Sequence, residues 1–250
     1  DVARFNIYGS SYVYPPYSVS PLQGIQEVVG AENVTHVPGC NLDGSDASGF
    51  SAAVTAAASH DYVLFFGGLS DAFEGEAIGD GGDRKTPDVQ LPQIQKDLIA
   101  ALAEANPNLV VALQSGGVLA IDGVADKMKG LLYSFYTGME GGHAFADVIF
   151  GDFNPAGRLP VTMPISDEMM PEWNDDFTDD FFDGYRFYDE TGNAYQYAFG
   201  YGLSYTTFTY SDLKITPASP RVGERITVSV MVTNSGERDG EEVAQLYLKK

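Results

Sequence analysis

Apolar and polar positions over the first two-thirds of the chain alternate between short strand-like runs and longer helical periods. Val2 to Tyr8 reads as a strand ending at Gly9-Ser10-Ser11, rather than as a leader peptide. Leu22 to Val29 reads as a short amphipathic helix stopped by Gly30, and the alanine-rich stretch from Ser48 to Ser59 as a second helix. Tyr62 to Phe66 is an apolar run of strand length closed by Gly67-Gly68. Pro92 opens a periodic stretch to about Ala105, where Asn106-Pro107 ends it. Leu109 to Leu113 is the next strand, closed by Ser115-Gly116-Gly117; Leu131 to Tyr136 is another, and Gly142 to Phe150 a further helix. Short apolar strands separated by helices of about 10–15 residues predict parallel pairing, hence an α/β fold with a mostly parallel sheet sandwiched by helices. Ligands of such sheets sit beyond the carboxyl ends of the strands, so chemistry is expected on the loops after Gly9, Gly67, Gln114 and Tyr136.

The pattern changes after about Phe150. Asn154-Pro155 and Pro160 break helices, and the acidic, aromatic stretch from Trp173 to Tyr188 reads as an extended loop. From Phe208 the period approaches two: Ile226, Val228, Val230 and Val232 alternate with Thr227, Ser229, Met231 and Thr233, which predicts a half-buried antiparallel strand. Asn234-Ser235-Gly236 is a turn, and Val243 to Leu248 begins another strand. A β-sandwich needs about seven strands, so this second unit is expected to be incomplete.

Composition narrows the function classes. A formal net charge of −21 repels phosphate backbones and anionic lipid, which argues against nucleic-acid and membrane-surface partners and accommodates a neutral substrate such as a sugar. No apolar run approaches the ~20 residues that span a bilayer. The single cysteine, Cys40, excludes an internal disulfide framework and a cysteine-rich metal site. His36, His60 and His143 have no partner at metal-ligand spacing, no phosphate-binding motif of the GxGxxG or Walker type is present, and there is no GxSxG elbow for a serine hydrolase. Asn33-Val34-Thr35 is an N-glycosylation sequon, a vote for export.

The loop after the Tyr62 to Phe66 strand is the richest in chemistry: Asp71, Glu74, Glu76, Asp80 and Asp83, closed by Arg84, within GLSDAFEGEAIGDGGDR. Carboxylates among flexible glycines at a strand end can form a general acid/base element or a solvated acidic turn, and the spacing does not match a calcium loop. The run WNDDFTDDFFDGYRFY from Trp173 offers aromatic faces beside acids, either for stacking a sugar ring or for fastening a domain seam.

Specific strings go further than composition. SVSPLQGI from Ser18, VTHVPGC from Val34, EGEAIGDGGDR from Glu74, LPQIQKDLIAALAEANPNLVVALQSGG from Leu91, GMEGGHAFADVIFGDFNPAGRLPVTMP from Gly138 and YAFGYGLSYTTFTY from Tyr197 occur in this order. Together they resemble glycoside hydrolase family 3, the β-glucosidases and β-xylosidases. The resemblance implies an α/β sandwich domain over residues 1–165, a linker over 166–204 and the start of a fibronectin-III-like domain over 205–250. It also implies a retaining, exo-acting enzyme on short β-linked glucosides or xylosides, secreted or periplasmic. Its nucleophile would come from a (β/α)8 barrel that these residues do not contain, elsewhere in the protein or on another chain. The acid/base glutamate falls on Glu74, with Glu76 as its competitor and Phe73 shaping the leaving-group side. The same residues without a barrel would be inactive; the rival expectation is a non-catalytic, carbohydrate-binding or structural homologue.

Overall fold

The computed structural model describes residues 13–70, 74, 89–171 and 183–248. The strand expected over Val2 to Tyr8 lies outside them. The first described helix, α1, spans Pro21–Val29; Ser20 caps it by accepting from the Gln23 N–H at 3.2 Å, Pro21 occupies the first turn, and Gly30 with φ 87° ends it. Helix α2 (Phe50–Ala57) precedes β1 (Val63–Gly68), and α3 (Gln93–Ala105) precedes β2 (Leu109–Gln114). Strand β3 (Gly130–Ser134) and helix α4 (Gly141–Phe150) follow, with Gly151 in the left-handed conformation closing the helix. Each element starts or stops within a few residues of its expected bounds. Strand β3 leaves the ladder at Ser134, so that Phe135 and Tyr136 belong to the following loop.

The three strands pair in parallel in the order β1-β2-β3, with Phe65 opposite Val111, Gly68 opposite Gln114, and Gln114 opposite Ser134. Successive strand residues face opposite sides, and each side has its own helices. Phe65, Val111 and Leu113 join Ala53 and Ala57 of α2 and Leu98, Ile99 and Leu102 of α3 in one buried core. Phe66, on the other side, meets Phe145 of α4 edge to face at 5.4 Å. Helices α1 and α4 pack against each other where a Cβ on Gly24 would lie 2.2 Å from the Gly142 carbonyl oxygen, a backbone approach that only glycine permits.

Beyond α4, the short strands β4 (Met163–Pro164) and β5 (Tyr195–Tyr197) pair antiparallel. Between them, part of the stretch expected as an extended loop is helical: α5 (Tyr185–Thr191) lies between Gly184 and Gly192, both at positive φ. Trp173 lies outside the described residues. An antiparallel ladder of β6 (Phe208–Thr216) and β7 (Thr227–Asn234) then begins the second unit. The expectation that β7 would be half-buried is corrected. Only Val228 is partly covered, because no second sheet faces this ladder among the described residues. Residues 243–248 form no strand either: alternation alone does not make one without a ladder partner. The fold class is therefore α/β, a parallel sheet between helices, followed by antiparallel strands.

The ladder is fastened to the α/β unit by polar contacts. Arg158 pairs with Glu242 at 2.6 Å, with side chains 11% and 17% exposed, and Tyr210 donates to the same carboxylate at 2.8 Å. Asn154 donates to the Asp239 carbonyl at 2.9 Å and accepts from the Tyr205 N–H at 2.7 Å, while Arg238 donates to the Gly151 carbonyl at 2.7 Å.

Candidate functional site

Three loops meet at the carboxyl ends of the parallel strands, where sheets of this type present ligands. The first leaves β1 at Gly68. That residue has φ 111°, and the place of a Cβ is filled by the Gln114 carbonyl oxygen at 2.0 Å, so the chain turns out of the sheet only because the residue is glycine. The Leu69 N–H donates to the Gln114 carbonyl at 2.8 Å, and buried Ser70 accepts from the Glu74 N–H at 3.0 Å. The paired glycines at 67–68 are thus the last two residues of β1, at the point where the chain turns out of the sheet.

The Glu74 side chain is half-buried and reaches across to the other two loops. Its Oε2 accepts from the Gly116 N–H at 2.6 Å and from the Tyr136 hydroxyl, and its Oε1 lies 3.3 Å from the Gly117 N–H. The Gly116-Gly117 peptides are aimed from below. Ser115, fully buried, and Tyr133 both donate to the Gly117 carbonyl at 2.5 Å, which turns the opposite edge of this segment toward Glu74. Gln114 donates to Thr137 Oγ1 at 2.8 Å and ties the loops after β2 and β3 together. One carboxyl group is therefore held by backbone donors of one loop and a phenol of another.

Phe73 and Glu76 lie outside the described residues, as do Asp71, Asp80, Asp83 and Arg84. The sequence pointed to the loop after β1, and the structure joins Glu74 to Gly116, Gly117 and Tyr136, which sequence reasoning missed. Backbone N–H donors leave no signature in composition, and Tyr136 sat at the end of an expected strand.

The remaining candidates lie elsewhere. Among the described residues no three His, Cys, Asp or Glu side chains are placed to hold a metal ion. His60 is used structurally, between the Ala56 carbonyl at 2.7 Å and Thr35 Oγ1 at 2.9 Å. Partial burial holds His36 below the ordinary imidazole value and raises the Cys40 thiol. His143 bridges Glu27 at 2.7 Å and Glu140 at 2.6 Å on the α1–α4 surface, and those hydrogen bonds raise its pKa. Asn33 is exposed, with its amide donating to the Val29 carbonyl at 2.7 Å.

Comparison with known proteins places this geometry in context. The profile of the glycosyl hydrolase family 3 C-terminal domain matches residues 6–205. A β-xylosidase of Formosa agariphila is 36% identical over 249 residues, 98% of this chain and 33% of the relative. An exo-α-(1→6)-L-arabinopyranosidase of Bifidobacterium longum is 36% identical over 255 residues, 98% of this chain and 32% of the relative. Among solved structures, a GH3 β-glucosidase of Bifidobacterium adolescentis superposes with a TM-score of 0.78 at 34% identity, over 91% of this chain and 34% of that one. The chain spans about a third of the length of the curated relatives it matches.

Proposed function

Since the chain belongs to glycosyl hydrolase family 3 and carries its C-terminal domain, we propose that it is the part of a retaining, exo-acting β-glycosidase that supplies the general acid/base, Glu74. The observation that carries this reading is the convergence of Gly116, Gly117 and Tyr136 on the Glu74 carboxyl at the carboxyl end of the parallel sheet. A retaining glycosidase needs two carboxyl groups about 5–5.5 Å apart, one to attack the anomeric carbon and one to protonate the departing oxygen. The nucleophile comes from a barrel outside these residues, so the site forms in the crevice between two units. On that division of labour Glu74 protonates the leaving group in the first step and deprotonates the attacking water in the second. Alone, the 250 residues hold half of the machinery and are inactive.

Short β-linked glucosides or xylosides are the proposed substrates; similar proteins are named β-xylosidase, exo-α-(1→6)-L-arabinopyranosidase and β-glucosidase, and on the proposed division of labour the barrel outside these residues holds the sugar that is cleaved off. The enzyme acts outside the cytoplasm, secreted or periplasmic, where the exposed Asn33 sequon is open to glycosylation in a eukaryotic host. The test is Glu74→Gln in the full-length protein. Activity should fall far more on glycosides with poor leaving groups than on activated aryl glycosides. An unchanged dependence on the leaving group removes Glu74 from the role, whereas no turnover by the wild-type full-length protein favours a non-catalytic, carbohydrate-binding homologue.

A further inference from the structure

We propose that Gln95 and Lys96, adjacent in the first turn of α3, are positioning residues that fasten the two ends of the stretch carrying Glu74, from Ser70 to Val89; the inference rests on the acid/base reading of Glu74. Neighbouring helix residues point about 100° apart, so the pair can serve two different segments of the chain.

Gln95 is 1% exposed and lies under the exit from β1. Its Oε1 accepts from the Gly68 N–H at 2.8 Å, and its Nε2 donates to the Gly68 carbonyl at 2.8 Å and to the Leu42 carbonyl at 2.9 Å. Both backbone groups of one residue are thus held by one planar amide, which fixes the direction in which the chain leaves the sheet. The approach is close: a Cβ on Gly67 would lie 2.5 Å from the Gln95 Oε1. From Gly68 the path to the site is short, through Leu69 on Gln114 and Ser70 on the Glu74 N–H. A buried amide costs more than an apolar side chain unless its polar atoms are matched, and here two of the three bonds are made to Gly68 at the strand end beside the site and the third to the Leu42 carbonyl.

Lys96 holds the return. Its ammonium lies 2.5 Å from both Gln90 Oε1 and Asp122 Oδ1, with the lysine side chain 8% and the aspartate 52% exposed. The same return is pinned by its backbone: the Ala120 N–H donates to the Val89 carbonyl at 2.6 Å, and the Leu91 N–H to the Ala120 carbonyl at 3.0 Å. Releasing either end lets the Glu74 carboxyl drift relative to Gly116, Gly117 and Tyr136. A misplacement of about 1 Å in a catalytic group costs on the order of 100-fold in rate.

The test measures kcat and KM of the full-length protein on aryl β-glycosides, from dinitrophenyl, a good leaving group, to phenyl, a poor one. Wild type, Gln95→Met, Lys96→Met and Glu74→Gln are compared. Both positioning variants should lose roughly 10- to 100-fold in kcat/KM on the phenyl glycoside while kcat/KM on the dinitrophenyl glycoside stays nearly unchanged, its kcat and KM falling together because the second step still needs Glu74 as base. A loss equal across the series, as a merely structural role gives, or no loss at all overturns the inference. If Gln95→Met does not accumulate as folded protein, Lys96→Met decides alone, because its half-exposed partner Asp122 can return to water. If Glu74→Gln itself shows no leaving-group dependence, the acid/base reading and this inference fall together. If Glu74→Gln shows it and the positioning variants do not, only this inference falls.

Discussion

Replacing Gly68 by alanine perturbs the strand end in two separable ways. Its φ of 111° is one that L residues rarely adopt, and holding an alanine there costs about 1–3 kcal/mol. The added methyl would also sit 2.0 Å from the Gln114 carbonyl oxygen and 2.7 Å from the Gln114 nitrogen. Strands β1 and β2 would have to part by more than about 1 Å at this pair, at the roughly 1–3 kcal/mol typical of overpacking. The sum, about 2–6 kcal/mol, is a large share of a domain's stability. Two other glycines isolate the contributions. Gly123 has φ 75° with nothing within 4 Å of a Cβ, so Gly123→Ala carries only the backbone cost, about 1–2 kcal/mol. Gly117 has neither clash nor positive φ, and Gly117→Ala should change stability by less than about 0.5 kcal/mol. Thermal denaturation of the purified protein reads the series, at roughly 2–4 °C per kcal/mol for a domain of this size. The reasoning is refuted if Gly68→Ala is no less stable than Gly123→Ala.

Two further predictions concern ion pairs of opposite character. Arg158→Met strands Glu242 in a nearly buried position and should cost about 3 kcal/mol in denaturant unfolding; Asp183→Asn, which removes an exposed partner 3.6 Å from Arg186, should cost less than about 0.5 kcal/mol. The His143 bridge gives a pH signature: its hydrogen bonds to Glu27 and Glu140 raise its pKa, so its stabilisation is complete below the ordinary imidazole value of about 6.5 and is lost as pH rises through the raised value. The carboxyl pKa of Glu27 is lowered by hydrogen bonds from Gln23 and His143, and that of Glu140 by those from Tyr17 and His143. Their contribution is therefore present above their ordinary value of about 4.3 and lost on acidification. The Tm advantage of wild type over His143→Gln should peak between about pH 4.5 and 6.5, and an advantage that grows above that range contradicts the assignment.

Much of the fold was legible because local signals agreed with tertiary ones. Ser20-Pro21 and Gly30 bracket α1, Asn106-Pro107 ends α3, and the apolar runs of β1 and β2 are buried against helices on both sides. Expectations failed where structure depends on partners far along the chain. Residues 243–248 alternate as a strand does but have no ladder, and β4, two residues long, pairs with β5 about thirty residues away. For the site, the glycine-flanked acidic loop after β1 was visible, whereas the donors that hold Glu74 were not. Gln95 did leave a trace: it shares the core-facing register of α3 with Leu98, Ile99 and Leu102, where a polar side chain has to be matched. A glutamine at an apolar position next to a strand end is the kind of signal that periodicity alone passes over.

The most direct test of the central claim is the product formed by Glu74→Ala in the full-length protein with an activated aryl β-glycoside and sodium azide. With the acid/base carboxyl removed and the nucleophile intact, azide should attack the glycosyl-enzyme from the face that Glu74 normally guards. The account predicts restored turnover and a β-glycosyl azide, its retained configuration read by NMR. An α-glycosyl azide would mark Glu74 as the nucleophile, and turnover indifferent to azide would show that Glu74 is not the acid/base.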